Sequence, residues 1–112
     1  MQRAGADPMD MQVSDFLCDF CVRAWDGAFP MVEGHQGSLI CDRCLEVAYR
    51  ELVLAKGDST RVPYHCTMCL EERSQPGWTS PMVDGKAVCL RCVNQAAVRL
   101  ERDEDWQWAR PS

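Results

Sequence analysis

Four Cys-x-x-Cys pairs, laid out twice at one interval, constrain this chain more than any other feature. The cysteines are Cys18, Cys21, Cys41 and Cys44, then Cys66, Cys69, Cys89 and Cys92; adding 48 to each number in the first set gives the second. Each set encloses 19 residues between its two pairs. Spacing kept over all the cysteines marks an internal duplication. Other residues share the offset: Phe16 with Tyr64, Val22 with Leu70, Ile40 with Val88, Arg43 with Arg91, Leu45 with Val93, Ala48 with Ala96 and Leu52 with Leu100. Pro30-Met31-Val32 recurs as Pro81-Met82-Val83, displaced by a further three residues. The second copy is therefore expected to have three more residues before that strand and three fewer in the turn after it.

The compartment decides how the thiols are read. In an exported protein, eight cysteines allow about 105 disulfide connectivities. Met1–Asp15 carries one arginine, three acids and no hydrophobic run, unlike a signal peptide. No apolar run approaches the roughly 20 residues of a membrane helix. A cytoplasmic setting is expected, with reduced thiols and no membrane, and metal ligation follows.

Two thiolates two residues apart can chelate one tetrahedral ion, and two such pairs close its shell. A closed shell leaves no place for water or substrate, so each site is expected to be structural. A unit of this size also needs it, because domains near or below about 40 residues seldom bury enough apolar surface to fold alone. A Cys₄ tetrahedron also suits rubredoxin-type iron, but neither copy has the proline and glycine usual around such knuckles. Two Zn²⁺ ions are expected. Pairs one and two can share an ion, or pairs one and three, as in cross-brace domains. Because each copy carries its own pairs, hairpin and helix, the sequential scheme is favoured: Cys18, Cys21, Cys41 and Cys44 on one ion, Cys66, Cys69, Cys89 and Cys92 on the other. His35 and His65 read as surface residues.

Each copy reads as knuckle, hairpin, helix. In copy one, Ala28–Val32 and Ser38–Ile40 flank a loose turn; in copy two, Thr79–Val83 and Lys86–Val88 flank Asp84-Gly85, a two-residue hairpin signal. The return strand runs into the second Cys-x-x-Cys, which opens a helix. Cys41, Leu45, Ala48, Leu52 and Ala55 recur at helical spacing up to Gly57, as do Cys89, Val93, Ala96 and Leu100. The organisation is a loose tail over 1–15, a first finger over 16–56, a linker over 57–63, a second finger with its helix over 64–105, and a tail over 106–112.

In the stretch Phe16-Leu-Cys-Asp-Phe-Cys21, then Met31-Val-Glu-Gly and Leu39-Ile-Cys-Asp-Arg-Cys-Leu45, the first copy resembles the ClpX-type C4 zinc-binding domain. The likeness covers Phe16 to Leu54 and, more weakly, Tyr64 to Leu100. It implies a small α+β, zinc-stabilised fold of two tandem treble-clef-like modules. It also implies docking of other proteins by a module that dimerises and performs no chemistry. There is no Gly-x-x-x-x-Gly-Lys-Ser/Thr, so the family's ATPase is missing from this sequence. Val22 and Leu70 stand where that family often has glycine after the first knuckle.

A non-catalytic protein-interaction module, adaptor or regulator, is the function expected. The formal charge is −5, and eight thiolates with two divalent ions would bring it to about −9. Nucleic-acid binding is the alternative, since many zinc fingers do this, but its basic footprint is largely missing. Redox chemistry ranks lower, because metal-locked thiolates are not free. Trp106 and Trp108 are candidates for anchoring a partner, or for folding back over the second helix. Trp25 and Trp78 are expected in knuckle-to-hairpin loops, packed over the metal sites. The helices have more apolar surface than one hairpin can cover. An intramolecular pseudo-dimer of the two copies is therefore expected.

Overall fold

The computed structural model describes all 112 residues. In the first copy, β1 (Met31–Glu33) and β2 (Leu39–Cys41) form an antiparallel hairpin that feeds α1 (Asp42–Tyr49), which continues as one wide π turn over Arg50–Leu54. In the second, β3 (Tyr64–His65) and β4 (Glu72–Arg73) bracket the knuckle, and β5 (Gly77–Thr79) and β6 (Ala87–Cys89) form the hairpin that feeds α2 (Leu90–Arg102). The first knuckle has a reduced version of the β3–β4 pair in the Leu17–Ala24 bridge. The result is a small α+β fold of two tandem treble-clef-like modules.

The duplication extends to single hydrogen bonds. Cys18 N–H donates to Arg23 O at 3.0 Å and Cys66 N–H to Glu71 O at 2.9 Å; Val22 and Leu70 N–H donate to Cys18 and Cys66 O, both at 2.9 Å. This tight turn forces Val22 and Leu70 alike to φ 62°, the left-handed region, where a side chain crowds its own carbonyl.

Strand register overturns the expected loop lengths. Val32 pairs with Ile40, and Trp78 pairs with Val88. Pro30 O and Pro76 O likewise accept from Asp42 and Leu90 N–H. The counterpart of Pro30-Met31-Val32 is thus Pro76-Gly77-Trp78. Copy two has two fewer residues before its strand and two more in its turn, the reverse of the expectation. Pro81-Met82-Val83 lies in the turn, and Trp78 lies in a strand, not a loop. The cause is local: the Ser80 hydroxyl captures the amides of Met82 and Val83 at 3.1 Å each. Pro81 offers no amide to a ladder. The chain therefore leaves the sheet after Thr79 and returns through Gly85 at φ 76°, in a wider loop than Asp84-Gly85 suggested.

The copies share a single core. Leu45 of α1 and Val93 and Ala97 of α2 are fully buried where the helices meet. Across the junction, contacts are reciprocal. Phe20, in the first knuckle, stacks on Trp78 and accepts a hydrogen bond from Ser80 Oγ through its carbonyl. Met68, the counterpart of Phe20, accepts from His35 N–H at 2.8 Å and meets the turn beyond Val32. Similarly α2 packs on β1 while the wide turn after α1 packs on β5. Asp19 adds an ion pair to Lys86 at 3.1 Å.

Both ends are tied down in this structure. Arg3 N–H donates to Asp15 O and Leu17 N–H to Met1 O, both at 2.6 Å, and Val13–Asp15 forms one 3-10 turn. At the other end Arg110 grips Glu101 through its backbone N–H at 2.9 Å and Nη2 at 3.0 Å, and Pro111 is buried. No helix is long and apolar enough to cross a membrane.

Candidate metal centres

Each centre is assembled by a knuckle turn and the start of a helix. Cys18 and Cys21 come from the first knuckle, Cys41 from the end of β2 and Cys44 from the first turn of α1; Cys66, Cys69, Cys89 and Cys92 repeat the plan with β6 and α2. Within each set the four sulfurs lie within 4.8 Å of one another. The grouping is sequential, with no pair shared between copies.

The geometry fits a tetrahedral ion. Sulfurs at Zn–S of about 2.3 Å occupy the corners of a tetrahedron whose edges are about 3.8 Å. Cys18 and Cys44 Sγ are 3.8 Å apart, Cys21 and Cys41 3.7 Å, and Cys66 and Cys92 3.8 Å. Cys18, Cys41, Cys66 and Cys89 are fully buried, while Cys21 and Cys69 face partly outward.

Backbone amides prepare the sulfurs for negative charge. Phe20 and Cys41 N–H point at Cys18 Sγ at 3.4 and 3.3 Å. Cys89 N–H points at Cys66 Sγ at 3.4 Å. Cys41 Sγ also caps α1, accepting from Cys44 N–H at 3.5 Å. In the second centre Arg73 Nη2 reaches Cys69 Sγ at 3.5 Å, and that bond raises its affinity for its proton. Nothing in the cysteine pattern points to Arg73, whose counterpart in copy one is Trp25.

Sulfurs this close resist ionising together. The Cys18 thiol is pushed up to about 12, first by its hydrogen bond with Cys41 and then by burial. Cys44 is raised by its bonds to Cys18 and Cys41, while Cys41, the shared acceptor, is held low. The second centre divides with the Cys18 and Cys41 roles exchanged: Cys92 and Cys89 are raised by their bonds to Cys66, and Cys66 is held low by Cys89. A divalent cation removes this conflict, since it favours every thiolate at once. Each set can hold one metal ion.

The other candidates fall outside the centres. His35 and His65 are exposed and belong to neither cluster. Trp78 is buried in the junction between copies. Trp25 is half-buried and its indole N–H donates to Phe29 O at 2.7 Å. Trp106 and Trp108 are half-buried against the core.

Comparison with protein-family models, with curated proteins and with solved structures finds no match to this chain. Its fold and sites define it as a tandem pair of tetracysteine metal-binding modules.

Proposed function

We propose that the chain is a non-catalytic, zinc-loaded protein-interaction module of the cytoplasm, an adaptor or regulator similar in kind to the ClpX-type zinc-binding domain. The observation that carries this is the closure of both centres. Four sulfurs at tetrahedral spacing leave no ligand position for substrate, so the metal braces the fold. Zinc is the ion such thiolate shells favour over harder cations. The reciprocal contacts across the junction support a second element of the reading, in which the two copies stand in for a dimer within one chain. The negative charge disfavours phosphate backbones and leaves protein surfaces as the natural partners.

The test is affinity capture with the zinc-loaded chain as bait, with and without nuclease. Retention of the same proteins after nuclease treatment is the expected result. Loss of all capture on nuclease treatment would instead support a nucleic-acid-binding finger.

A further inference from the structure

The reciprocal packing is broken in one place, and the break opens a cleft. On one side of the junction Phe20 and Trp78 fill the space between the first knuckle and β5, with ring centroids 5.8 Å apart. On the other side their counterparts, Met68 and Val32, are smaller. A cavity of about 390 Å³ remains there, floored by Val32, Met68 and Ala96 and rimmed by Arg91, Gln95 and Arg99 of α2. The counterparts of these α2 residues on α1 are Arg43, Val47 and Glu51, so the α2 side of the cleft has changed toward positive charge, while Glu33 and the metal ligands Cys69 and Cys92 also line it. Neither Arg91 nor Arg99 has an acidic partner within ion-pair distance, and both are exposed.

The molecule also shows what such an edge accepts. Along the outer edge of β5 runs the chain's own linker. Gly77 N–H donates to the Asp58 carboxylate at 3.1 Å, Ser59 N–H donates to Gly77 O at 2.9 Å, and Thr79 N–H donates to Ser59 Oγ at 2.8 Å. Gly77 and Thr79 correspond to Met31 and Glu33 of β1. Bonds from Asp42 N–H to Pro30 O and from Gly34 N–H to Ser38 O set the phase of the β1–β2 ladder. Met31 and Glu33 therefore turn their amides outward, beside the cleft. No backbone hydrogen bond is made to the outward groups of Met31 and Glu33; α2 packs on β1, and its Arg99 Nη1 donates to Glu33 O at 3.0 Å.

We propose that this cleft binds an extended acidic peptide of a partner protein, laid along the outer edge of β1 as Asp58–Thr60 is laid along β5. The inference rests on the protein-interaction reading above and names the partner's chemistry. Arg91 and Arg99 are two helical turns apart, about 12 Å along α2. An extended chain rising about 3.3 Å per residue puts side chains i and i+4 on one face at about 13 Å, so two acids four apart match the two guanidiniums. Edge amides supply affinity and the arginines supply selectivity. A nucleic-acid strand fits less well, because no Phe, Tyr or Trp lines the cleft for base stacking.

The test is an NMR titration of the zinc-loaded full chain with the peptide Ser-Glu-Ser-Thr-Ser-Glu-Ser, with its lysine counterpart, and with a short oligothymidylate. The acidic peptide should shift the amides of Met31, Glu33, Gln95 and Arg99, and the lysine peptide should not. Arg91→Glu with Arg99→Glu should weaken binding by at least about tenfold, while Arg43→Glu leaves it unchanged. Val32→Trp, which copies the filled side, should block it. Binding unaffected by the arginine reversals, or tighter binding of oligothymidylate at the same residues, overturns the proposal. If wild type and the arginine variant capture the same proteins, the cleft fails while the interaction reading stands. If neither captures any, the reading itself fails.

Discussion

Phe20 and Trp78, 58 positions apart in the chain, lie with ring centroids 5.8 Å apart at an interplanar angle of 40°, each almost wholly buried. One ring belongs to the first knuckle and the other to the second hairpin, so the pair joins the copies. Tilted rings at this distance are a favoured aromatic arrangement. Trp78→Ala should cost about 3–5 kcal/mol in denaturant unfolding of the metal-loaded protein, as large-to-small core changes do. Val32→Ala, at the reciprocal position beside the cleft, should cost less. Equal losses would contradict this asymmetry between the two sides of the junction.

Asp19 is a second junction residue. Its carboxylate accepts from Leu39 N–H at 2.7 Å and pairs with Lys86 at 3.1 Å, with only 6% of its side chain exposed. Asp19→Ala strands a part-buried amide and should cost about 1–3 kcal/mol. Lys86, about one-third exposed, should cost less when changed to Ala. A double-mutant cycle on chemical unfolding measures their coupling, and additivity would show that the ion pair contributes nothing.

The knuckles carry strain at Val22. A β-branched residue at φ 62° pays roughly 1–2 kcal/mol that glycine does not. At 47% exposure, Val22 loses little burial on truncation. Val22→Gly should raise the unfolding midpoint with two ions still bound. Leu70→Gly should gain less, because Leu70 is more buried. A fall in the midpoint for Val22→Gly would show that side-chain contacts outweigh the backbone strain.

Metal and fold should be inseparable. Purified protein should give close to two zinc ions per chain by elemental analysis. A strong chelator should collapse the dispersed amide spectrum, since metal binding in such units is folding free energy. One ion per chain, or a red iron-type absorption, would contradict the assignment.

The C-terminal segment should be held by one ion pair. The hydrogen bonds from Arg110 keep the Glu101 carboxyl down at about 2. A depressed carboxyl stabilises above its ordinary range, so the tether is intact at neutral pH and is lost as pH falls toward about 2. Thiolate protonation releases metal on the same descent, so Arg110→Ala at neutral pH is the clean test. It should expose Trp106 and Trp108, shifting tryptophan emission to the red without changing the metal count.

Much of the site was legible in the sequence because its chemistry is local. Two cysteines two apart fold into one turn whatever surrounds them, and the period of 48 assigned each pair to its copy. The amide donor at Phe20 follows from that turn, whereas the Cys41 amide reaches Cys18 Sγ from 23 positions along the chain. Arg73 does not follow from it, because its approach to Cys69 depends on how β4 pairs with β3.

Hairpin register escaped the sequence for a related reason. Pro30-Met31-Val32 and Pro81-Met82-Val83 match in letters, yet only the first is a strand. A side-chain hydroxyl at Ser80 competes with the ladder in copy two, and pattern alone does not weigh that competition.

The sequence by itself determined the two four-cysteine sets, the knuckle–hairpin–helix order and the two amphipathic helices, since each depends on contacts within a few turns of chain. Only the tertiary structure decided which face of each copy meets the other, and where that match fails. Burial across the junction depends on the volumes of residues far apart in sequence. Phe20 with Trp78 fills its side, and Met68 with Val32 leaves a cleft on the other.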